Sequence, residues 1–414
     1  MKFSNRRKFL KTAGAIIAGS ALLNRPNILG AKPLKKLKKK YKAAIIGRTG
    51  KGDYGHGLDI VFNNLDNVTV VAVADENPVG LKKAAELSGA LRQYLDYNEM
   101  LEKEKPDIVS IGPRIPDCHL DMAIASIEAG AHVYIEKPFT NTLKEADKII
   151  AAAEKNNTKV SIAHFMRLYE DMMLLKELLK DGFIGDVLEM RACGKEDNRV
   201  GGEDLIVLGV HHFDLMRFFF GDPQWCFASI MKDGRDITPA DIYTGSDVHK
   251  GREPFMVAGD TVRAEYSFSN NVHCYWESIK NKHSFETSRF TAKRSPENPG
   301  RWGFDIYGTR GIVSYRKPIN TAVFYSPSFY TAQKNLKWEK LPKPDKFVIP
   351  EHKKHPIVDF IHAIETDTQP QSSGYDGRWS IEMVSCVYES QINKKRIYFP
   401  LKNREHPLES LKKL

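Results

Sequence analysis

The pattern that most constrains the fold is an alternation of apolar strand-like runs with helical stretches after position 42. The predicted strands are continuously apolar and lie at 43–46, 68–74, 108–111, 132–135 and 159–163. The predicted helices lie at 81–87, 120–129 and 143–154. Strands of this kind are buried on both faces, as in a parallel sheet covered by helices. The sequence therefore predicts an α/β, doubly wound Rossmann domain over 43–165.

The pattern changes from residue 166 onward. Helices are predicted at 169–179, 204–220, 356–366 and 378–391. Strands are predicted at 187–193, 226–231, 262–268, 272–278, 289–292, 303–307, 312–315, 322–325 and 396–400, with a Pro- and Lys-rich connection at 326–356. Strands in succession favour an antiparallel or mixed sheet. We predict a C-terminal α+β domain with a large, mostly antiparallel sheet over 166–400, followed by a tail at 401–414.

The charge of the chain is unevenly distributed. Residues 1–42 contain thirteen Lys or Arg and no acidic residue, which leaves −3 of the formal +10 for residues 43–414. A slightly acidic body argues against nucleic-acid binding. The five cysteines show no Cys-x-x-Cys spacing, so we expect neither a structural zinc site nor a disulfide framework.

The N-terminus resembles a twin-arginine signal. Arg6 and Arg7 lie in Asn-Arg-Arg-Lys-Phe-Leu, an uncharged stretch follows at 12–23, and Leu29-Gly30-Ala31 offers small residues for cleavage. We predict a signal peptide over 1–31 and a basic linker over 32–42. Recognition by the twin-arginine export machinery would give a periplasmic or otherwise exported protein. An uncleaved amphipathic anchor and a chance Arg-Arg pair are the alternatives.

A glycine-rich loop follows the first predicted strand and leads, in the prediction, into a helix. Gly47, Gly50 and Gly52 permit a tight turn whose N–H groups reach a pyrophosphate, although Thr49 stands where a dinucleotide loop has its middle glycine. Asp75 ends the second strand, where a carboxylate accepts bonds from ribose hydroxyls and repels a 2′-phosphate. The pattern favours NAD over NADP, and a merely flexible loop is the alternative.

Glu136-Lys137-Pro138 follows the strand at 132–135 and is more specific. Lys137 is predicted at the carboxyl end of a parallel strand, where open α/β sheets bind ligands. Pro138 disfavours a helical conformation for Lys137. There the ammonium can hydrogen-bond a substrate hydroxyl and share in proton movement. Taken alone, a solvated lysine after a strand is the alternative.

A pair of histidines lies in the predicted helix at 204–220. His211 and His212 point about 100° apart, so one of them at most faces a given cleft, and Asp214 can share the face of His211. A histidine near its intrinsic pKa is suited to accept a hydroxyl proton as hydride leaves the same carbon. A satisfied core histidine and a His-His-x-Asp metal site are the alternatives, and we expect no metal.

These residues resemble the family of glucose–fructose oxidoreductase, inositol dehydrogenase and MocA-like proteins (Gfo/Idh/MocA). The resemblance covers nearly the whole chain from residue 43 and includes 129–138, 307–313, 388–390 and 396–400. It implies that an N-terminal Rossmann domain binds the nicotinamide cofactor. It also implies that a C-terminal sheet carries substrate and dimer contacts, so self-association into a homo-oligomer is expected.

The resemblance also implies site residues. Lys137 and His211 match the catalytic lysine and histidine of the family. The predicted cofactor contacts are Gly47, Thr49, Gly50, Gly52, Asp75, Glu136 and Lys137. Many members place an aspartate four residues before the histidine, where this chain has Val207. Glu203, Asp204 and Asp214 are candidates to replace that aspartate.

Two polar segments are candidates for the substrate pocket. His164 and Arg167 follow the last Rossmann strand, and a dense polar loop occupies 194–204 before the histidine helix. Hydroxyl-rich ligands need many polar contacts, so Glu203, Asp204, His212 and Asp214 join them as candidate carbohydrate contacts. A solvated loop is the alternative.

Together these features predict an exported, NAD-dependent oxidoreductase acting on the CH–OH group of a sugar, polyol or glycoside. Transport in the folded state implies a cofactor that is loaded before export and held through turnover. One alternative is an NAD-dependent glycosidase or lyase that oxidises its substrate transiently. The other is a non-catalytic sugar-binding relative.

Overall fold

The computed structural model describes residues 39–413 apart from residue 198 and the segments 246–253, 281–301, 317–322 and 328–338. The predicted signal peptide, most of the predicted basic linker and the predicted strand at 289–292 lie outside the described residues. Strand β1 begins at Tyr41, two residues before the predicted start of the Rossmann domain.

Parallel strands and their crossover helices build the N-terminal half of the described chain. The strands are β1 Tyr41–Ile46, β2 Val68–Ala74, β3 Arg92–Tyr94, β4 Ile108–Ile111, β5 His132–Ile135 and β6 Val160–Ile162. The helices are α1 Pro78–Ser88, α2 Tyr97–Glu104, α3 His119–Glu128 and α4 Leu143–Lys155. The strand order is β3-β2-β1-β4-β5-β6 and every pairing is parallel. The predicted doubly wound fold is confirmed, and its ligand-binding crevice lies beyond the ends of β1 and β4, where the strand order reverses.

The apolar pattern does not predict β3 or α2. Strand β3 lies at the sheet edge with Arg92 and Gln93 exposed, so it carries no apolar run. Helix α2 buries mainly Met100 and Leu101, too few apolar positions to stand out in the sequence. Both elements form because the neighbouring sheet covers them.

The predicted helix directly after the glycine loop is absent. Residues 47–67, all of which are described, form turns and bends instead. Gly50, Gly52, Gly55 and Gly57 have φ angles of 83°, 96°, 60° and 88°, which a right-handed helix excludes. The glycines that suggest a dinucleotide loop therefore also prevent the helix that usually follows it.

The second sheet is mixed and mostly antiparallel, as predicted. Its strands are β7 Val187–Cys193, β8 Trp225–Lys232, β9 Arg235–Asp236, β12 Thr261–Ser267, β13 His273–Ile279, β14 Gly303–Gly308, β15 Gly311–Arg316, β16 Val323–Pro327, β17 Glu339–Lys340 and β18 Ile397–Tyr398. Its order is β17-β16-β15-β14-β7-β13-β12-β8-β18, with β9 paired to β8. Among the described pairings of this second sheet, only β7 with β13 is parallel. A separate hairpin pairs β10 Ile242–Thr244 with β11 Met256–Ala258.

Helices attach the second sheet to the first. They are α5 Glu170–Lys180, α6 Val210–Phe220, α7 Pro356–Thr366, α8 Gly374–Asn393 and α9 Pro407–Leu411. Helix α8 begins at a capping box of Ser373 and Asp376 and packs against β8, α4 and α6. Its Ser390 Oγ and Gln391 Oε1 accept bonds from the backbone N–H groups of β8, so the long helix is fixed to the sheet by polar as well as apolar contacts. No helix within the described residues is long and apolar enough to cross a membrane.

Candidate active site

Lys137 lies where the sequence predicts it, directly beyond the carboxyl end of β5. The preceding Glu136 is fully buried and accepts hydrogen bonds from the backbone N–H groups of His56 and Lys137, at 2.9 and 3.0 Å. His56 Nδ1 also lies 3.0 Å from the Glu136 carboxylate. These contacts fix the backbone of the motif, and the Lys137 ammonium donates to the carbonyl oxygen of Val207 at 3.4 Å.

The histidine helix is preceded by an unusual turn. A short helical turn, Gly202–Asp204, leads into a π-helical segment, Leu205–Gly209, and then into α6. π-helical segments are rare in proteins overall, but those that occur are often found at functional sites. Here the π-helical segment places Val207 against Lys137 and delivers His211 to the same cleft.

His211 and His212 have different surroundings, as their 100° separation requires. His212 is fully buried, accepts a hydrogen bond from Trp276 Nε1 at 3.2 Å and packs against the ring of Phe304. His211 lines the cleft, and its Nδ1 has no hydrogen-bond partner within the described residues. Of the two, only His211 is therefore placed to meet a ligand in this cleft.

A third histidine lies beside His211. The rings of His164 and His211 meet edge to face with centroids 6.1 Å apart, and neither nitrogen of His164 has a partner within the described residues. Burial, followed by the charge of Lys137, lowers the pKa of His211 well below its usual value. Burial also lowers the pKa of His164. Both imidazoles are consequently neutral near pH 7, with nitrogens able to accept a proton.

The cleft between Lys137 and His211 has a volume of about 220 Å³. It is lined by His56, Arg114, Lys137, Pro138, Lys195, Arg199, Val207, Leu208, His211 and Phe255. Six of these ten residues are basic. The other four are apolar or proline, so the walls combine cationic donors with a hydrophobic floor.

The loop that supplies Lys195 and Arg199 is anchored from below. Asp204, buried under the loop, accepts bonds from Ser278 Oγ at 2.7 Å and from the backbone N–H of Glu196 at 3.0 Å. Burial raises the pKa of Asp204 to about 6, and the bonds from Glu196 and Ser278 oppose that rise. Asp204 thus holds the loop rather than facing the cleft.

Arg167 and Asp214 form an ion pair away from the cleft-lining residues. Arg167 Nε donates to Asp214 Oδ2 at 2.7 Å, both side chains are buried, and Asp376 lies 3.1 Å from Arg167 Nη1. Glu203 is fully buried and is likewise not among the cleft-lining residues. The substrate roles of these residues stay predictions.

Asp75 and Thr49 contact each other where the glycine loop meets the end of β2. Both Asp75 oxygens accept bonds from the Thr49 backbone N–H at 3.2 and 3.0 Å, and Asp75 Oδ2 also accepts from Thr49 Oγ1 at 2.6 Å. Asn77 N–H donates to the same carboxylate at 2.9 Å. A ribose hydroxyl that reaches Asp75 therefore has to take the place of the Thr49 hydroxyl.

The rest of the loop packs at the crevice between β1 and β4. Gly50 N–H donates to Asp53 at 2.8 Å, and a Cβ on Gly52 would lie 2.7 Å from the backbone nitrogen of Arg114. Gly52 therefore lets the loop approach the end of β4 closely.

Tyr54 covers the first glycine of the loop. A Cβ on Gly47 would lie 2.1 Å from Tyr54 Cε1, so the phenol ring stacks directly on that glycine. The buried Tyr54 hydroxyl has no hydrogen-bond partner within the described residues. Burial and the nearby Asp75 carboxylate raise the pKa of Tyr54.

The glycine loop and Asp75 offer groups that fit a dinucleotide, and Tyr54 packs on the first glycine of that loop. The crevice lies where the strand order reverses, and the Tyr54 hydroxyl, both nitrogens of His164 and His211 Nδ1 lack hydrogen-bond partners within the described residues. Glu136 fixes the backbone of Lys137 rather than lining the cleft.

Several cleft residues escape the sequence prediction. Lys195 and Arg199 belong to the predicted polar loop but are not singled out there, and His56 is hidden in the glycine loop. Arg114 follows β4, and the rule that ligands bind beyond the carboxyl ends of parallel strands was a sufficient signal to find it. Phe255 lies in a segment whose sequence shows no pattern that points to the site.

Comparisons with known proteins agree with this architecture. Residues 41–164 match an oxidoreductase family with an NAD-binding Rossmann fold, and residues 172–314 match the GFO/IDH/MocA C-terminal domain. An NAD-binding oxidoreductase from Klebsiella pneumoniae shares the fold with a TM-score of 0.66 and 18% identity, over 88% of this chain and 100% of that one.

Two curated relatives match part of the chain. D-apiose dehydrogenase of Paraburkholderia graminis is 27% identical over 219 residues, which are 50% of this chain and 56% of the relative. A glycosyl hydrolase family 109 protein of Shewanella pealeana is 28% identical over 212 residues, 46% of this chain and 45% of the relative. The chain spans about half the length of these relatives. Because the two family matches cover both domains and more than half of the 414 residues, the chain belongs to the Gfo/Idh/MocA oxidoreductase family, with an N-terminal NAD-binding Rossmann domain.

Proposed function

We propose that this protein is an exported oxidoreductase that uses a tightly held NAD to oxidise or reduce a secondary alcohol of a sugar, polyol or glycoside. One observation carries the proposal. His211, with an unbonded Nδ1, and the Lys137 ammonium line the same cleft at the carboxyl edge of the parallel sheet. A neutral base and a fixed cation are the two groups that alcohol oxidation requires.

The two side chains have complementary roles. His211 accepts the hydroxyl proton, because its lowered pKa keeps the imidazole neutral. Lys137, positioned by the carbonyl oxygen of Val207, stabilises the negative charge that develops on the substrate oxygen. NAD, when bound, supplies the acceptor for the hydride. The name of the D-apiose dehydrogenase relative supports a carbohydrate substrate.

The direct test combines cofactor content with single-turnover reduction. Protein purified from the cell and dialysed extensively is denatured and assayed for NAD(H), and near-stoichiometric cofactor is expected. Lys137→Ala and His211→Asn are then compared with Lys144→Ala, because Lys144 is an exposed lysine that pairs with Glu405 at 2.6 Å and does not line the cleft. The first two variants are expected to slow reduction of the bound cofactor by at least about 100-fold, and the third to match the wild type.

Protein that contains no cofactor and binds neither added NAD nor NADP would remove the redox assignment. Unchanged turnover in Lys137→Ala would remove the catalytic role of that residue, whereas binding of sugar without any turnover by the wild type would favour a sugar-binding protein. Folding is checked for each variant by circular dichroism, so that loss of structure is distinguished from loss of chemistry.

A second candidate function has support from the relative named as a glycosyl hydrolase family 109 protein. A glycosidase that oxidises its substrate transiently would use the same lysine and histidine. The two functions differ in product: the glycosidase releases the aglycone and leaves no net oxidised sugar. Incubation with aryl glycosides, followed by analysis of sugar and aglycone, distinguishes the two functions.

The proposed export depends on Arg6 and Arg7. Replacing both with lysine in a tagged full-length chain is expected to move the protein from the periplasmic fraction to the cytoplasmic fraction. Wild-type protein found only in the cytoplasm would refute export.

A further inference from the structure

We propose that the substrate of this cleft is an anionic carbohydrate, one whose carboxylate faces Lys195 and Arg114 while its reacting hydroxyl meets Lys137 and His211. The inference rests on the proposed function and narrows its substrate class to sugar acids and their glycosides. It depends on the chemical groups that the cleft walls present.

The described walls of the cleft present hydrogen-bond donors and almost no acceptors. Arg114, Lys137, Lys195 and Arg199 carry permanent positive charge, and no aspartate or glutamate is among the described lining residues. Ammonium and guanidinium groups donate hydrogen bonds but cannot accept them. Among the described lining side chains, the imidazoles of His56 and His211 can accept a hydrogen bond, and the Val207 carbonyl oxygen accepts from Lys137.

A neutral sugar does not match such a surface. Each of its hydroxyls offers a proton as well as lone pairs, and a buried hydroxyl proton without an acceptor loses the hydrogen bond that it made to water. A carboxylate offers lone pairs only, and its bonds to cationic donors are roughly twice as strong as bonds between neutral groups. The donor-rich wall therefore fits a carboxylate better than it fits another ring hydroxyl.

The acidic partners of these cations lie behind them. Arg199 forks onto Asp197 at 2.7 Å, and Lys195 Nζ lies 3.4 Å from the same aspartate. Bonds and charge from Arg199 lower the pKa of Asp197 to about 2 despite its burial, so this aspartate stays ionised. Asp197 fixes the direction of the two cations without lining the cleft itself.

Arg114 is held more loosely. Its Nη2 lies 3.8 Å from Asp53, beyond ordinary hydrogen-bond distance, and its buried Nε has no partner within the described residues. An orphaned guanidinium nitrogen at the wall of a cleft is a group for which a ligand can supply the missing acceptor. Lys195 and Arg114 belong to different domains of the chain, so a carboxylate between them would also bridge the two.

The test uses matched pairs of ligands on the cofactor-loaded full-length protein. The pairs are D-glucuronate with D-glucose, D-galacturonate with D-galactose, and methyl β-D-glucuronide with methyl β-D-glucoside. Binding is measured by calorimetry at low and high salt, and reduction of the bound cofactor is followed by absorbance. We expect the acid of at least one pair to bind about tenfold more tightly than its neutral partner. The advantage should shrink at high salt because salt screens the charges.

Lys195 variants test the location. Lys195→Gln is expected to weaken binding of the acid several-fold more than binding of its neutral partner, which removes most of the preference for the acid, and Lys195→Arg is expected to retain the preference. Lys280→Gln is the control, because Lys280 is an exposed lysine paired with Asp233 at 2.8 Å and does not line the cleft. Loss of acid preference in the control as well would show a general charge effect and overturn the assignment.

The outcomes separate this inference from the proposed function. Neutral sugars that bind as tightly as the acids and reduce the cofactor would overturn the inference and leave the proposed function intact. Lys195-dependent binding of acids without cofactor reduction would support the anionic ligand and count against the redox reaction. No binding by any member of the three pairs would overturn the inference.

Discussion

The buried carboxyl group of Asp204 leads to a quantitative prediction about how the stability of the protein depends on pH. Its carboxyl group is fully buried, and burial raises the pKa to about 6 from an ordinary 3.8. At about 1.36 kcal/mol per pH unit, this difference corresponds to about 3 kcal/mol. Because the folded state binds the proton more tightly than the unfolded state, this stabilisation is complete below about pH 4 and is lost as the pH rises through about 6.

Asp204→Asn removes the titration with little change in shape. The amide oxygen can take the position of Oδ2, which accepts from Ser278 Oγ and the Glu196 N–H at 2.7 and 3.0 Å. The free energy of unfolding of the wild type minus that of the variant is expected to fall by about 2 kcal/mol between pH 4.5 and pH 7.5. The remainder of the change lies below pH 4.5.

Urea unfolding followed by tryptophan fluorescence at four pH values between these limits measures the difference. Asp222→Asn is the control, because Asp222 is an exposed carboxylate that pairs with Arg217. A wild-type-minus-variant difference that stays constant within about 0.5 kcal/mol across the range would refute the assignment of a buried, titrating Asp204. A difference that rises with pH would show that the carboxylate is stabilised in its charged form.

Three further predictions follow from other contacts. Asp214→Ala should cost about 3 kcal/mol in urea unfolding, because Asp376 is then the one carboxylate among the described residues that pairs with the buried Arg167. Asp222→Ala should cost less than about 1 kcal/mol. The rate of substrate-driven cofactor reduction in a single turnover should not decline as pH falls through 6.5, because the pKa of His211 lies well below that value and the imidazole stays neutral. A decline centred near pH 6.5 would contradict the lowered pKa of His211. Tyr54→Ala should speed both binding and release of NADH at least about tenfold in stopped-flow fluorescence, because the ring no longer stacks on Gly47. Tyr97→Ala, which removes a half-buried tyrosine, should leave both rates unchanged. Rates in Tyr54→Ala equal to those of the wild type would show that the ring does not limit exchange.

The sequence predicts the parallel sheet well because its strands are buried on both faces. Continuous apolar runs such as 68–74 and 132–135 coincide with β2 and β5, and helix caps and loop glycines delimit the elements between them. The three-residue strand β3 escapes prediction because its stability comes from the adjoining strand rather than from its own composition. The same local rules fail after β1, where glycine conformations override the expected helix.

The residues of the candidate site also divide into those that the sequence predicts and those that it does not. Lys137 and His211 are predictable because each lies in a motif with a regular position on the fold. Lys195 and Phe255 reach the cleft from two other segments of the chain, and only the tertiary structure brings them there. Asp75 is placed where the sequence predicts it, but its bonds to Thr49 depend on a loop conformation that spacing alone does not specify.

The π-helical segment Leu205–Gly209 fixes which of two adjacent histidines serves the cleft. A π-helical turn contains one residue more than an α-helical turn, so it shifts every following side chain by about 100° around the helix axis. If the same residues continued in α-helical geometry, the direction now taken by His211 would pass to a neighbouring position, and the residue that packs against Trp276 would change as well. The backbone geometry of this short segment, and not the spacing of the sequence alone, thus determines which side chain lines the cleft.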